Sequence, residues 1–522
     1  MSNLAEMLRR TALSFPQKEA LTWDQERLTW DELYRRALAV RENLLGQGVK
    51  RGDVVGIYAE HSPAQVAAIF GIAMCDAAFT ILSPLLKENQ LKHQISDADL
   101  RAIVGTPELL PSVEKVAAHR GMILAGVTPQ GLLIGEESLP QADPEKPLAR
   151  NLPTDVGYLI YTSGSSGRSK GVVVPLRTLL DGARIISGYL DITSQDVTLG
   201  MLPFSFDYGL NQLMTTVYQG ARMVMHNYTF PKNLLDTLEA EGVTGMAAVP
   251  SLWPNILNPR FIDPATKPEL KSLRYITTAG GMHTQELLKK LDEFFSHSQI
   301  IVMYGLTESF RSCWLPPSET FKRPGSIGKP VPEVEIMVWN QQGQPCAPGE
   351  KGELVHRGAF ITYGYLNNPD LTQEKFIPLQ TGGPGCLPEM VVRSGDIVHM
   401  DEDGYLYFHG RGDMQIKCAG YRVSPGEVEE ASLAYSGISQ VAAFGLPHPE
   451  LGQEVCLAYS TYKGKPVDHS ALAAHLSASL PYYAVPKSIR FCAHLPLTAH
   501  GKIDYPALIK QAPDWENSGA GD

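Results

Sequence analysis

Strand-like apolar runs alternate with helix-like segments from the N-terminus to about residue 400, and this alternation constrains the fold more than anything else in the chain. Residues 53–59 read as a strand and 62–74 as a helix. Residues 234–241 are helical, 245–249 and 273–278 are strands, 284–295 is a helix and 300–304 a strand. Thr29-Trp30-Asp31-Glu32 has the spacing of a capping box, which starts a helix. Such alternation predicts an α/β architecture of parallel-rich sheets flanked by helices. After residue 358 turns and short strands dominate, which predicts a β-rich subdomain. Beyond Gly410-Arg411-Gly412-Asp413 comes a smaller α+β pattern. Ser424-Pro425-Gly426-Glu427 reads as a helix start with capping-box spacing. Residues 441–445 and 488–492 are strands, and 471–480 is a helix. At 522 residues the chain is long enough for two or more domains, so we place a boundary at Asp413: a large unit, 1–412, and a small one, 413–522.

Composition narrows the function classes. The net charge of −11 argues against a general nucleic-acid binder. The longest apolar stretch, 66–82, is interrupted by Asp76 and reads as a buried helix running into a strand, not a membrane span. No basic segment followed by a long apolar run opens the chain, so no secretion signal is expected. The seven cysteines are scattered without a CxxC, which points away from a zinc site or disulfide framework and toward a reducing cytoplasm.

The chemistry concentrates in a few short segments. Thr162-Ser163-Gly164-Ser165-Ser166-Gly167-Arg168-Ser169-Lys170 sits between two strand-like runs, 156–161 and 172–174. Glycines let such a loop close around an anion, and hydroxyls and backbone N–H groups donate to phosphate oxygens. A flexible linker would not be wedged between strands. Tyr304-Gly305-Leu306-Thr307-Glu308 follows the strand 300–304, at the end where open α/β sheets bind ligands. Glu308 there either helps hold Mg²⁺ beside phosphates or favours a helix N-terminus. Arg393-Ser394-Gly395-Asp396 is either a ribose-binding carboxylate or a polar turn. Ala279-Gly280-Gly281 either admits a flat base or is a plain turn. Near the C-terminus, Gly501-Lys502 presents a lysine from a turn.

In this order and spacing the segments resemble the adenylate-forming ligases: acyl-CoA synthetases, peptide-synthetase adenylation domains and beetle luciferases. The resemblance covers nearly the whole chain. Within that superfamily residues 204–212, 304–312 and 413–427 are most similar to stand-alone bacterial acyl-CoA ligases associated with exosortase systems. It implies attack of a carboxylate on the α-phosphate of ATP, giving an acyl-adenylate, then displacement of AMP by the thiol of CoA or of a separate carrier protein's phosphopantetheine arm. It implies that residues 162–170 grip the pyrophosphate end of ATP and that Gly280, Gly281 and Tyr304 receive adenine. Asp396 matches the ribose ligand and Arg411 an arginine near the nucleotide. Thr307 and Glu308 match catalytic positions, with Glu308 helping to place Mg²⁺. Lys502 matches the lysine that bridges carboxylate and phosphate, and Asp413 the hinge of a mobile C-terminal unit. Ser166 stands where threonine is usual and Ser169 where proline is usual; the second change loosens the loop without removing a contact.

The same resemblance bears on the acyl group. Asp207 lies thirteen residues before Gly220 in a helix-like segment. It matches the aspartate that holds a substrate α-ammonium. Tyr208, Asn211, Ala248, Thr277, Met303, Arg311 and Ser312 match pocket positions. This mixed, polar set suits an amino acid or small polar acid better than a long apolar tail. Arg311 could pair a second carboxylate or polar end; alternatively Asp207 and Arg311 pair structurally. The remaining alternatives are a medium- or long-chain fatty acyl-CoA synthetase and a nucleotide-binding relative without catalysis.

Overall fold

The computed structural model describes residues 3–86, 88–135, 139–140, 148–162, 169–262, 267–281, 283–383, 385–412, 414, 416–418, 421–448, 451–498 and 501–512. Among these residues the strands form sheets of fourteen, six and five members. In the six-stranded sheet Val54–Tyr58, Ala78–Ile81, Ala102–Gly105 and Ile123–Gly126 run parallel, as the alternation predicts. Its far edge is the hairpin Val156–Thr162 with Lys170–Pro175.

The fourteen-stranded sheet changes character along its width. Arg222–Met225, Val197–Gly200, Gly245–Ala248, Tyr275–Thr278 and Gln299–Tyr304 are parallel neighbours. From Cys313–Leu315 onward every pairing is antiparallel, through Ser326–Pro330, Leu406–Arg411, Glu389–Met400 and Gly352–Gly358. This antiparallel half is the expected β-rich part.

Side chains of a strand alternate between faces, so each parallel strand serves two cores. Ala247, Ile301 and Met303 join a core shared with one face of the six-stranded sheet. Met246, Ala248, Ile276, Ile300 and Val302 join another core, with residues of the helices Pro231–Ala240 and Gln285–Phe294. The helix Asp207–Gln219 belongs to the first core and ends on Gly220 in the left-handed region. Burial extends to its polar residues Asp207 and Asn211.

Residues 416–512 build the five-stranded sheet, with cores of their own. Gln440 donates to the Ser251 carbonyl at 2.9 Å, Arg260 donates to the Lys463 carbonyl at 2.7 Å, and the Lys290 ammonium lies 4.5 Å from the centre of the Tyr462 ring. These contacts dock this unit against the large one.

The two capping boxes fare differently. Thr29 and Glu32 form theirs reciprocally, at 3.2 and 2.7 Å. Ser424 precedes the helix Pro425–Leu433 as expected but makes no side-chain cap. Its hydroxyl instead donates to the His409 carbonyl, and Glu427 pairs with Lys351 at 3.0 Å. Tertiary partners have displaced the local motif. Among the described residues no helix is long and apolar enough to cross a membrane.

Candidate active site

Thr162 and Lys170 face each other across the hairpin, so the two ends of the hydroxyl- and glycine-rich loop are held together by a strand ladder. Ser163, Gly164, Ser165, Ser166 and Gly167 lie outside the described residues. Ser169, at the loop's end, is tied to the helix Glu88–Asp97. Its carbonyl lies 3.0 Å from His93 Nε2, and its hydroxyl 3.5 Å from Gln94 Nε2. Asp97 of the same helix accepts from the Tyr161 hydroxyl at 2.8 Å. A position at which proline would fix φ is thus held by side chains instead.

Tyr304 ends the strand Gln299–Tyr304, and its hydroxyl donates to Asp396 at 2.5 Å. Burial and the adjacent carboxylate push the Tyr304 phenol well above its ordinary pKa, so it remains a donor. Arg411 approaches the other Asp396 oxygen at 3.4 Å from the neighbouring strand. The three residues thus form one cluster from three strands. Thr307 and Glu308 occupy the following turn, which does not continue into a helix; the helix-start alternative for Glu308 is therefore ruled out. Glu308 accepts from the Tyr365 hydroxyl at 2.5 Å through Oε1. No cluster of three metal-ligating side chains occurs among the described residues. Mg²⁺ beside a nucleotide takes one or two carboxylates and completes its shell with phosphates and water. Glu308 would contribute the carboxylate, and the ion would supply neutralising charge to the phosphates.

Lys502 is delivered by a tight hairpin. Thr498 N–H donates to the Lys502 carbonyl at 2.7 Å and Gly501 N–H to the Thr498 carbonyl at 2.9 Å. Gly501 has φ of +74°, where a side chain would be strained, and its carbonyl accepts from the Ser251 hydroxyl. The Lys502 ammonium reaches 5.2 Å from the centre of the Phe206 ring. Gly280, at φ +85°, has Lys502 Cε 3.4 Å from where its Cβ would stand, and a Cβ on Gly281 would stand 3.2 Å from Pro250 Cγ. Gly280 therefore leaves a side-chain-free surface beside the lysine.

Next to Phe206 lies Asp207, 8% exposed. Burial raises its pKa, while the positive charges of Lys502 and Arg311 and the Tyr208 N–H act against the rise. Neither cation makes an ion pair with it among the described residues. Tyr208 donates to Thr277 at 2.6 Å and underlies Arg311, whose Cζ is 5.0 Å from the ring centre. Met303 receives the Tyr189 hydroxyl at 3.1 Å. Asn211 lies one helical turn beyond Asp207.

Two pocket expectations change. Ala248 pairs with Thr278, in the core on the opposite face of the sheet from Tyr208. Ala247, opposite Thr277, takes the pocket-facing register, because a one-residue offset in a strand flips the side chain. Ser312 is fully buried and bonded to His356 at 3.0 Å and Ser309 at 3.2 Å, so it braces the loop behind Arg311. Asp413 lies outside the described residues. Three contributors were missed in the sequence: Phe206 under Lys502, Tyr365 on Glu308, and His93 on Ser169. Only Phe206 carried a local signal, its adjacency to Asp207.

The structure thus shows a hairpin at 156–175, a tyrosine–carboxylate–arginine cluster, Glu308 bonded to Tyr365, and Lys502 over the Phe206 ring next to the buried Asp207. A family model described as AMP-binding enzyme matches residues 8–366, and one described as AMP-binding enzyme C-terminal domain matches residues 427–502. The chain belongs to the AMP-binding enzyme family. It is 30% identical over 500 residues to tyrocidine synthase 3 of Brevibacillus parabrevis, covering 95% of this chain and 7% of that one. It is 29% identical over 523 residues to a dimodular nonribosomal peptide synthase of Bacillus subtilis (strain 168), covering 99% of this chain and 21% of that one. The chain thus spans about a fifth or less of these relatives' length. Its fold matches ATP-bound MatB from Rhodopseudomonas palustris with a TM-score of 0.87 at 22% identity, covering 98% of this chain and 99% of that one.

Proposed function

We propose that this chain is an AMP-forming ligase that activates an amino acid or small polar carboxylic acid and passes it to a phosphopantetheine thiol, on a separate carrier protein or on CoA. The observation that carries the reading is Asp207: a buried carboxylate, without an ion-pair partner among the described residues, close enough to Lys502 to feel its charge. A substrate ammonium supplies the missing counter-charge, and burying an acid without one is costly. A fatty acid would leave it unanswered. The relationship to a nonribosomal peptide synthase supports an amino acid and a carrier-bound acceptor.

In the first step the substrate carboxylate oxygen attacks the α-phosphorus of ATP, forming the acyl–phosphate bond and releasing pyrophosphate. Lys502, fixed by its hairpin, offsets negative charge building on the carboxylate and phosphate oxygens. Asp396 takes the ribose hydroxyls and Tyr304 flanks the adenine. In the second step the thiol sulfur attacks the acyl carbon, AMP leaves and the thiol proton is lost to solvent. Residues 413–522 swing about Asp413 between the steps. ATP–pyrophosphate exchange with a panel of carboxylates tests the reading: exchange driven by an amino acid or small polar acid supports it. Exchange with fatty acids alone, or with nothing, rejects it.

A further inference from the structure

The pocket holds a second unanswered charge, and it lies away from the reacting end. Arg311 is 3% exposed, makes no ion pair among the described residues, and its Nε has no hydrogen-bond partner. Its position is built deliberately. Phe310, just before it, is held at φ +53°, and a Cβ on Gly305 would stand 2.5 Å from the Phe310 carbonyl. The loop doubles back on itself and turns the guanidinium inward over Tyr208. Left-handed backbone at a phenylalanine is costly, so the packing around the loop must enforce it.

A second polar group nearby is also unsatisfied. Asn211 Oδ1 is buried without a partner. Gly182 packs closely against it: a Cβ there would stand 2.6 Å from the Phe310 ring and 3.0 Å from Asn211 Oδ1, so Asn211 lies near the Phe310–Arg311 loop. The other polar groups of the cluster have spent their hydrogen bonds on one another: Tyr208 on Thr277, Tyr189 on Met303, Ser312 on His356. Arg311 and Asn211 remain. A buried guanidinium and a buried amide left open together signal a ligand group that completes both.

We infer that the substrate is an amino acid whose short side chain ends in a carboxylate or carboxamide, read by Arg311 and Asn211. This rests on the amino-acid reading above. The reacting carboxylate then faces Lys502, the α-ammonium faces Asp207, and the side-chain end faces Arg311, where a carboxylate balances the charge and a carboxamide accepts its hydrogen bonds. A guanidinium fork matches a planar carboxyl-derived group, and the Asn211 amide offers a donor or an acceptor according to which way it is turned. Asp207 and Asn211 are one helical turn apart, about 6 Å along the axis, which suits a side chain of one or two methylenes. An apolar side chain would leave both groups buried and open.

The test is ATP–pyrophosphate exchange by the full chain with aspartate, glutamate, asparagine, glutamine, alanine, leucine, phenylalanine and octanoate, repeated with Arg311→Met and Arg311→Lys. One of the first four should exceed leucine at least a hundredfold in kcat/KM. Arg311→Met should erase that preference chiefly through KM, while the melting temperature without substrate holds or rises, because an unpaired buried charge has been removed. Arg311→Lys should retain more activity if the group is a carboxylate than if it is a carboxamide, and either result supports the inference. Best activity with leucine, alanine or phenylalanine overturns it while leaving amino-acid activation standing. So does a uniform loss across substrates with a lowered melting temperature in both variants, which marks a structural role. Exchange with octanoate alone, or with none of the acids, overturns both.

Discussion

The Lys502 ammonium sits 5.2 Å from the centre of the Phe206 ring, one residue away from the buried carboxylate of Asp207. A C-terminal hairpin therefore reaches the start of the central helix of the large unit. Lys502→Ala should lower adenylate formation at least a hundredfold, on the order of 3–4 kcal/mol, with the fold intact. Thioester formation from preformed acyl-adenylate should fall far less. The two half-reactions are assayed separately, and equal losses would count against a role confined to the first.

Asp207→Ala should separate amino acids from their des-amino analogues. Removing one partner of a desolvated charge pair commonly costs about 2–5 kcal/mol. KM for the amino acid should rise strongly and that for the des-amino acid should change little. Steady-state exchange kinetics measure both, and an equal rise for both acids would refute the ammonium role.

His93 should tune the phosphate loop. Its Nε2 contact with the Ser169 carbonyl, 3.0 Å, is worth about 1 kcal/mol as an ordinary hydrogen bond. His93→Ala should raise KM for ATP about fivefold with little change in the KM of the acid. Ser169→Pro, which fixes the backbone there, should recover part of the loss. A second-site change that leaves the defect untouched would mean that stiffness of this segment is not what His93 supplies.

Glu429 should make stability pH-dependent. It is buried, accepts from Tyr505 and the Ala443 N–H at 2.5 and 2.8 Å, and burial pushes its pKa up to about 7 from 4.5. A carboxyl whose folded pKa is raised binds its proton more tightly when folded. Its contribution is complete below the unfolded pKa and is lost as pH rises through about 7. The span corresponds to on the order of 3 kcal/mol. Glu429→Gln should match the parent near pH 4 and exceed it in denaturation midpoint at pH 8. Parallel curves would rule the group out.

Asp413→Pro should slow one half-reaction much more than the other. Proline fixes φ and removes the N–H that a hinge needs free to reorient. Rapid-quench measurements of adenylate and thioester formation decide it. A shared loss would mean that no swing occurs at this residue.

Much of this was legible in the chain because its signals are local. The alternation of strands and helices announced the parallel half of the sheet, and the Thr29–Glu32 box formed as its spacing predicts. The loop at 162–170 declared itself by composition between two strands. Errors arose where one residue decides a face, as with Ala248 and Ala247, since counting from a motif does not fix the pleat. They arose also where partners are remote in sequence. Tyr365 on Glu308 is 57 residues away and His93 on Ser169 is 76, and no periodicity reports such pairings.

The start of the helix Pro425–Leu433 has a consequence for motion. Ser424 and Glu427 have the residues for a mutual cap, yet each is engaged across the seam, with His409 and Lys351. A small unit that lifts away loses a hydrogen bond and an exposed ion pair, each worth about 1 kcal/mol or less. The same movement releases both side chains to close the helix end, which is worth about 1 kcal/mol in return. If the small unit lifts, this part of the seam is offset by the new cap, while the Gln440, Arg260 and Lys290 contacts set the remaining cost of opening.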